Sequence, residues 1–252
     1  MIVKIIYCSH FFATFVENVG MKKIFKPIQY FFDLIYPQIC DVCNTPLVRG
    51  EKIICTNCRV DIPITRSWNK RENSIEQIFW GRVPIIAATS FFFFARGSKY
   101  RELLHKLKYS GRADIGVTLG TWFGSELAKT DVFSTVDFIV PVPLHPKKQR
   151  IRGYNQSEKI CVGLSQTMHK LVDTKTLIRS EFTNTQTKKS RLERWKNVST
   201  VFTVTNVENF KDKHILLVDD VLTTGATIEA CCNAILSVVD CKISIATIAY
   251  AN

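Results

Sequence analysis

Residues 214–227 read HILLVDDVLTTGAT. An apolar run ends in two adjacent carboxylates, Asp219 and Asp220, and a cluster of Thr and Gly follows. A short run that is apolar on both faces and bounded by a turn signal fits a strand in a sheet covered on both sides. TIEACCNAILSVV after it reads as a helix and CKISIATIAY as a further apolar strand, giving a strand–turn–helix–strand unit. In open parallel sheets ligands gather at the carboxyl ends of the strands, where loops lead into helix amino termini. Asp219 and Asp220 fall at such an end. Thr and Gly suit close backbone approach, and the unpaired N–H groups of a first helical turn attract anions. No Lys follows Gly225 and the GxxxxGK[ST] spacing is absent, so this is not an ATPase P-loop.

Working outward, the same alternation recurs. A buried strand is expected at 85–94 (IIAATSFFFF), and a helix over 98–112 with Tyr100, Leu103, Leu104 and Leu107 at helical spacing and Gly111 as its stop. A second helix follows over 113–129, then a strand at 136–143 (VDFIVPVP), a helix near 154–171 and a short strand around 175–178. Strands that alternate with helices and are nearly all apolar indicate an α/β fold, a mostly parallel sheet flanked by helices. Residues 63–84 are mixed and polar and read as a linker. The expected organisation is a leader or upstream extension at 1–20 ahead of Met21, a small module at 21–62, the linker, and the α/β domain at 85–252. Residues 24–36 of the small module read as a short amphipathic helix.

The 252 residues are 46% apolar and 22% charged, an ordinary globular composition with a formal net charge of +12. The charge is gathered: six Lys/Arg against one Glu at 96–112, four against none at 147–152, and six against two at 179–196. Such clustering suits an anionic partner, either a phosphorylated small molecule or nucleic acid, with solvated helix faces as the plainer alternative. The run at 2–20 is broken by Ser9 and His10, carries one basic residue and lacks a small-residue cleavage site, so it is not read as a signal peptide. No run of about 18 apolar residues predicts a membrane span. Nine cysteines, an odd number, several in apolar contexts, favour a reducing cytoplasm over a disulfide framework.

Carboxylates beside a phosphate cradle repel the phosphate unless they address something else. Ribose hydroxyls donate well to carboxylates, and Mg²⁺ neutralises charge. One ligand, 5-phosphoribosyl 1-pyrophosphate, carries a 5-phosphate, a ribose and a metal-binding group together. At this point ILLVDDVLTTGAT resembles the ribose-phosphate signature of type I phosphoribosyltransferases. The resemblance implies that Asp219 and Asp220 bind the ribose hydroxyls, and that Thr223, Thr224, Gly225, Ala226 and Thr227 bind the 5-phosphate.

Four further segments narrow it. CDVC…CTNC, YRELLHKLKYSGR, DFIVPVPLHPKKQRIRGYNQSEKI and RSEFTNTQTKKSRLERWKNVSTVF precede VDDVLTTGAT in the order found in the ComF family of competence-linked and GntX-like proteins, over roughly residues 25–250. The resemblance implies a pyrophosphate loop at 141–156. There the backbone of Val142 and Leu144 and the cations Lys147, Arg150 and Arg152 are candidates to hold the leaving pyrophosphate. It also implies a loop over the site at 185–198, with Lys188, Lys189, Arg191 and Arg194 as candidates to stabilise charge at the reacting centre. One position departs: similar purine salvage enzymes have Asp where this chain has Thr223, as orotate-type enzymes do, which makes a 6-oxopurine acceptor less expected.

Cys40-x₂-Cys43 and Cys55-x₂-Cys58 are separated by eleven residues. Two CxxC knuckles supply four thiolates for a tetrahedral structural Zn²⁺, a double zinc ribbon stabilising a module too small for its own core. A thioredoxin-like redox role needs a CxxC opening a helix inside a βαβ unit, which neither pair does. Two functions compete. One is an Mg²⁺-dependent transfer of phosphoribosyl to a nucleobase-like nitrogen acceptor. The other is a non-catalytic phosphoribosyl sensor or a competence accessory contacting single-stranded DNA or a machinery protein. A homodimer is compatible with either.

Overall fold

A computed structural model describes residues 37–95, 97–179 and 201–251. The leader at 1–20 and the helix expected at 24–36 lie outside the described residues. The chain divides into two compact units, residues 1–56 and 57–252. In the first, Cys40 N–H donates to the Thr45 carbonyl at 2.8 Å and Asn44 N–H to the Cys40 carbonyl at 2.9 Å, closing a tight turn. Asn44 takes the left-handed conformation that the turn requires (φ 59°), one that Asn tolerates better than most residues.

From Thr56 onward the described elements are α1 (Thr56–Val60), α2 (Ser74–Gln77), β1 (Ala87–Phe94), α3 (Arg101–Tyr109), α4 (Ala113–Leu127), α5 (Asp131–Ser134), β2 (Phe138–Pro141), α6 (Pro146–Arg152), α7 (Gln156–Met168), β3 (Leu171–Val172), β4 (Leu177–Arg179), β5 (Phe202–Val204), β6 (His214–Leu222), α8 (Ala226–Leu236) and β7 (Lys242–Ala251). Five strands form one sheet in the order β1-β7-β6-β2-β3. All its pairings are parallel. The central strands β6 and β7 are buried along Ile215–Val218 and Ile243–Ala249, which is why their sequences are nearly continuous apolar runs. β4 and β5 form a separate antiparallel pair. No helix among the described residues is long and apolar enough to cross a membrane.

Residues 63–84, expected as a linker, are built into the second unit. Thr65 N–H donates to the Phe91 carbonyl at 3.0 Å and Phe93 N–H to the Pro63 carbonyl at 2.9 Å, so this segment covers the edge of β1. Trp68 packs against Phe91 and Phe123, with ring centroids 6.3 and 5.5 Å away. Ile75, Phe79 and Val83 join the core beneath α8. The polar residues that suggested a linker serve local turns instead. Asn73 caps α2 by accepting the Ile75 and Glu76 N–H groups, and its side-chain amide donates to the Ala88 carbonyl at 3.1 Å.

Three boundaries also differ from expectation. The helix near 154–171 ends at Met168, because His169 turns left-handed (φ 55°) and releases Leu171–Val172 to pair with β2. α6 arises where only a loop was read. Pro146 opens it, His145 Nδ1 accepts the Lys147 N–H at 3.1 Å, and Gly153 closes it at φ 80°. β6 continues through Leu222, two residues past the acid pair. Helices α4 and α7 lie backbone to backbone: a side chain at Gly120 would run into the Ile160 carbonyl, and one at Gly163 into that of Val117. This close approach fixes α7, and with it the residues at the head of that helix.

Candidate functional site

Asp219 lies opposite Thr247 in the β6–β7 ladder, and the two acids sit near the carboxyl end of β6. Asp219 Oδ1 accepts two hydrogen bonds, from the Ser157 hydroxyl at 3.0 Å and from the Asp220 N–H at 2.8 Å. Asp220, buried, meets the Lys108 ammonium at 3.2 Å through its Oδ2. Burial first, and then the neighbouring Asp220 charge, push the Asp219 carboxyl up to about 7. The two hydrogen bonds and Lys108 pull the other way. The acids therefore differ: Asp220 has a full cation as partner, and Asp219 accepts from two neutral donors.

The turn after β6 forms a small cup walled by Asp219 and residues 221–228. Gly225 sits at φ 76°, a left-handed conformation that favours Gly, immediately before α8. The first intrahelical bond is Glu229 N–H to the Gly225 carbonyl at 2.9 Å, which leaves the Thr227 and Ile228 N–H groups without backbone partners among the described residues. N–H groups without backbone partners at the head of an eleven-residue helix, beside three Thr hydroxyls, are donors of the kind that a phosphate accepts from.

The cup is braced from a segment that sequence reasoning set aside. Arg82 donates to the Thr224 carbonyl at 2.8 Å and to the Ile78 carbonyl at 3.0 Å, and it pairs with Glu229 of α8. Phe79 and Ile78 lie directly under Gly225, where an added Cβ would stand 3.0 and 3.1 Å from their side chains. Ser157, Lys108 and Arg82 were all missed from sequence. Ser157 follows the helix-capping Asn155, a cue to a helix head but not to an acid 62 residues away.

The loop of Val142, Leu144, Lys147, Arg150 and Arg152 is divided in role. The Val142 N–H donates to the Val218 carbonyl at 2.8 Å, extending the β2–β6 ladder, so it is not available to a pyrophosphate. That corrects the expectation for Val142: the strand outlasts its named boundary by one bond. Leu144 lies in the loop beyond, partly buried. Lys147 and Arg150 are exposed on α6, whereas Arg152 donates to Gln156 Oε1 at 2.6 Å and lies over the Tyr109 ring at 5.2 Å. Gln156 is buried, and its Nε2 has no hydrogen-bond partner among the described residues, a donor left over next to Ser157. Lys188, Lys189, Arg191 and Arg194 lie outside the described residues.

The four cysteines meet as their spacing predicts. The Sγ atoms of Cys40, Cys43, Cys55 and Cys58 all lie within 4.8 Å of one another, with Cys43 and Cys55 at 3.6 Å. A tetrahedron with Zn–S arms of ~2.3 Å has S···S edges of about 3.8 Å. Cys55 N–H and Val42 N–H point at Cys40 Sγ from 3.3 and 3.5 Å, donors that favour a thiolate. The donor set and its spacing fit Zn²⁺.

A parallel sheet with an acid pair and a phosphate-type cup at the end of a central strand defines a phosphoribosyltransferase fold, and the phosphoribosyl transferase domain family matches residues 162–252. Proteins named for DNA utilization and for competence are among the relatives that this chain resembles. It is 29% identical over 211 residues to the DNA utilization protein YhgH of Escherichia coli K12, covering 77% of this chain and 89% of that one. It is 26% identical over 199 residues to the competence protein ComFC of Bacillus subtilis, covering 79% and 71% respectively. A solved glutamine phosphoribosylpyrophosphate amidotransferase from B. subtilis is similar over 56% of this chain and 30% of its own, with 15% identity and a TM-score of 0.41, and no weight rests on that likeness.

Proposed function

We propose that the chain binds 5-phosphoribosyl 1-pyrophosphate with Mg²⁺ and transfers the phosphoribosyl group to a nitrogenous, nucleobase-like acceptor. The observation that carries this is the acid pair of β6 set directly beside an anion cup at the head of α8. Asp219 and Asp220 accept the ribose hydroxyls. The Thr227 and Ile228 N–H groups and the hydroxyls of Thr223, Thr224 and Thr227 receive the 5-phosphate. Leu144, Lys147, Arg150 and the orphaned Gln156 donor stand on the loop that follows β2 and at the head of α7, where a pyrophosphate is to be held. Lys188, Lys189, Arg191 and Arg194 remain part of the proposal as cations over the reacting centre. Mg²⁺, which takes oxygen ligands such as these carboxylates, would neutralise the pyrophosphate as it leaves. The bond from the anomeric carbon to pyrophosphate breaks, a bond to the acceptor nitrogen forms, and the proton on that nitrogen is released. The protein's part is positioning and electrostatics. Zn²⁺ held by Cys40, Cys43, Cys55 and Cys58 is structural.

Calorimetric titration of 5-phosphoribosyl 1-pyrophosphate with Mg²⁺ tests the proposal. Binding is expected to the parent protein and not to an Asp219→Asn/Asp220→Asn variant. A folded parent that binds nothing refutes it.

A second reading, contact with single-stranded nucleic acid, is favoured by a different observation. A cleft of about 290 Å³ in the second unit is lined by Trp122, Phe91, Arg59 and Arg66, with the Arg59 guanidinium 4.5 Å over the Trp122 ring. Arginines beside aromatic rings suit phosphates and unstacked bases, and the name of the E. coli relative points to DNA. This reading expects salt-sensitive oligonucleotide binding that survives Asp220→Ala and is lost in Arg59→Ala/Arg66→Ala.

A further inference from the structure

The cleft lined by Arg59, Arg66, Trp68, Phe91, Trp122 and Glu126 is built from α1, the segment at 63–69 that covers the β1 edge, β1 itself and α4. Its aromatic part is rigid. Trp68 and Phe91 are buried, and Phe123 of α4 packs against both, with ring centroids 5.5 and 5.3 Å away. Its two arginines keep their charge: among the described residues neither Arg59 nor Arg66 has an acidic partner. The Arg59 guanidinium rests 4.5 Å over the Trp122 ring, a contact that holds it without neutralising it. Arg66 is held through its backbone instead. It is left-handed (φ 51°), a costly conformation for a residue with a Cβ, and it is pinned on both sides. Thr65 N–H donates to the Phe91 carbonyl at 3.0 Å, and the Ser67 and Thr89 hydroxyls share a hydrogen bond at 2.8 Å.

We propose that this cleft is a pocket for one nucleotide whose base bears an amino group. Arg59 and Arg66 take the phosphate, the aromatic side chains take the base, and Glu126 accepts from the amino group. This rests on the second reading above and narrows it. Proteins that track single strands hold about 4–16 nucleotides in a groove that is positive along its length. Here the volume is about 290 Å³, at the small end of the pockets of about 300–1,000 Å³ that hold one small molecule. The wall also carries a carboxylate. Glu126 stands one helical turn after Trp122 on α4, and its charge opposes a phosphate backbone continuing through the cleft. Lys129 donates to Glu126 Oε1 at 2.9 Å, and Oε2 keeps its capacity to accept. A carboxylate accepts from an amino group and is repelled by a carbonyl, so a uracil-type base is disfavoured.

Cytidine and uridine monophosphate form a matched pair of probes, differing by an amino group against a carbonyl at one ring position. Both carry a ribose phosphate, so they are titrated by calorimetry into the Asp219→Asn/Asp220→Asn variant, in which the sugar site is disabled. Should that variant not fold, the parent with excess ribose 5-phosphate takes its place. Cytidine monophosphate should bind, and uridine monophosphate about tenfold more weakly, the difference of one hydrogen bond to a charged acceptor. Adding Glu126→Gln should erase that preference, because an amide can accept or donate. Adding Arg59→Gln/Arg66→Gln, at two exposed positions, should weaken both nucleotides by about tenfold or more.

A short oligocytidylate separates the sources of such a ligand. Tighter binding of the monophosphate marks a free nucleotide. Equal or tighter binding of the oligonucleotide, with a salt dependence as shallow as the monophosphate's, marks one position of a strand. An oligonucleotide that binds with steep salt dependence while the monophosphate does not bind makes the cleft a strand track. That result overturns the proposal and leaves the nucleic-acid reading intact. If neither ligand binds, both fall. Equal affinity for the two monophosphates, or affinity untouched by Arg59→Gln/Arg66→Gln, also overturns the one-nucleotide pocket.

Discussion

Replacing Gly225 with Ala tests how the cup is built. Gly225 has φ 76°, and a Cβ added there would stand 3.0 and 3.2 Å from two ring carbons of Phe79 and 3.1 Å from Ile78. Two costs add. A left-handed residue with a Cβ loses about 1–2 kcal/mol. Crowding a fully buried side chain adds about 1–2 kcal/mol more, since Phe79 cannot swing into solvent. The sum, about 2–4 kcal/mol, corresponds to a drop of roughly 4–16 °C in the melting temperature of a unit this size. Gly97 separates the two costs, because it has φ 85° and nothing among the described residues within 4 Å of its missing Cβ. Gly97→Ala should show the backbone cost alone, about 1–2 kcal/mol. Thermal melts of both variants, followed by far-ultraviolet circular dichroism, and titration of phosphoribosyl pyrophosphate into each form the assay. Gly225→Ala should melt clearly below Gly97→Ala, and it alone should lose ligand affinity. Equal melting of the two variants would refute the buttressing of the turn by Phe79 and Ile78.

Two other perturbations have defined outcomes. Arg82→Met removes the bonds to the Thr224 and Ile78 carbonyls while keeping the apolar stem. It should cost about 1 kcal/mol in denaturant unfolding, and more in function than in stability, with affinity for the sugar phosphate down about tenfold. Unchanged affinity would mean that the turn holds its shape without the clamp. For the cysteine cluster, the purified chain should carry about one Zn²⁺, released by thiol modification and counted with a chromogenic chelator, and Cys40→Ser should lose it. Full metal content in that variant would show that Cys40 is not a ligand.

The elements most legible in the sequence were those whose physics is local. The apolar runs at 215–218 and 243–249 declared buried parallel strands because both faces are covered. The CxxC spacing declared a four-thiol cluster because a knuckle forms within four residues. The acid pair and the Thr/Gly turn stood out as a candidate ligand site because such residues are costly in a plain strand end. By contrast, polarity misled over 63–84. Caps, left-handed turns and an edge-covering bridge need polar residues just as a linker does, and only the burial of Trp68, Ile75 and Phe79 tells them apart.

What only the tertiary structure decided is who meets whom across the chain. Lys108 reaches Asp220 across 112 residues, Ser157 reaches Asp219 across 62, and Arg82 clamps a turn 142 residues further on. No spacing rule links such positions, because their proximity is set by the packing of α4 on α7 through Gly120 and Gly163 and by the order of the parallel strands. The sequence by itself therefore determined the core strands, the longer helices around them and the position of the acid pair. Its charge state, and the bracing of the cup beside it, came from side chains brought in by the fold.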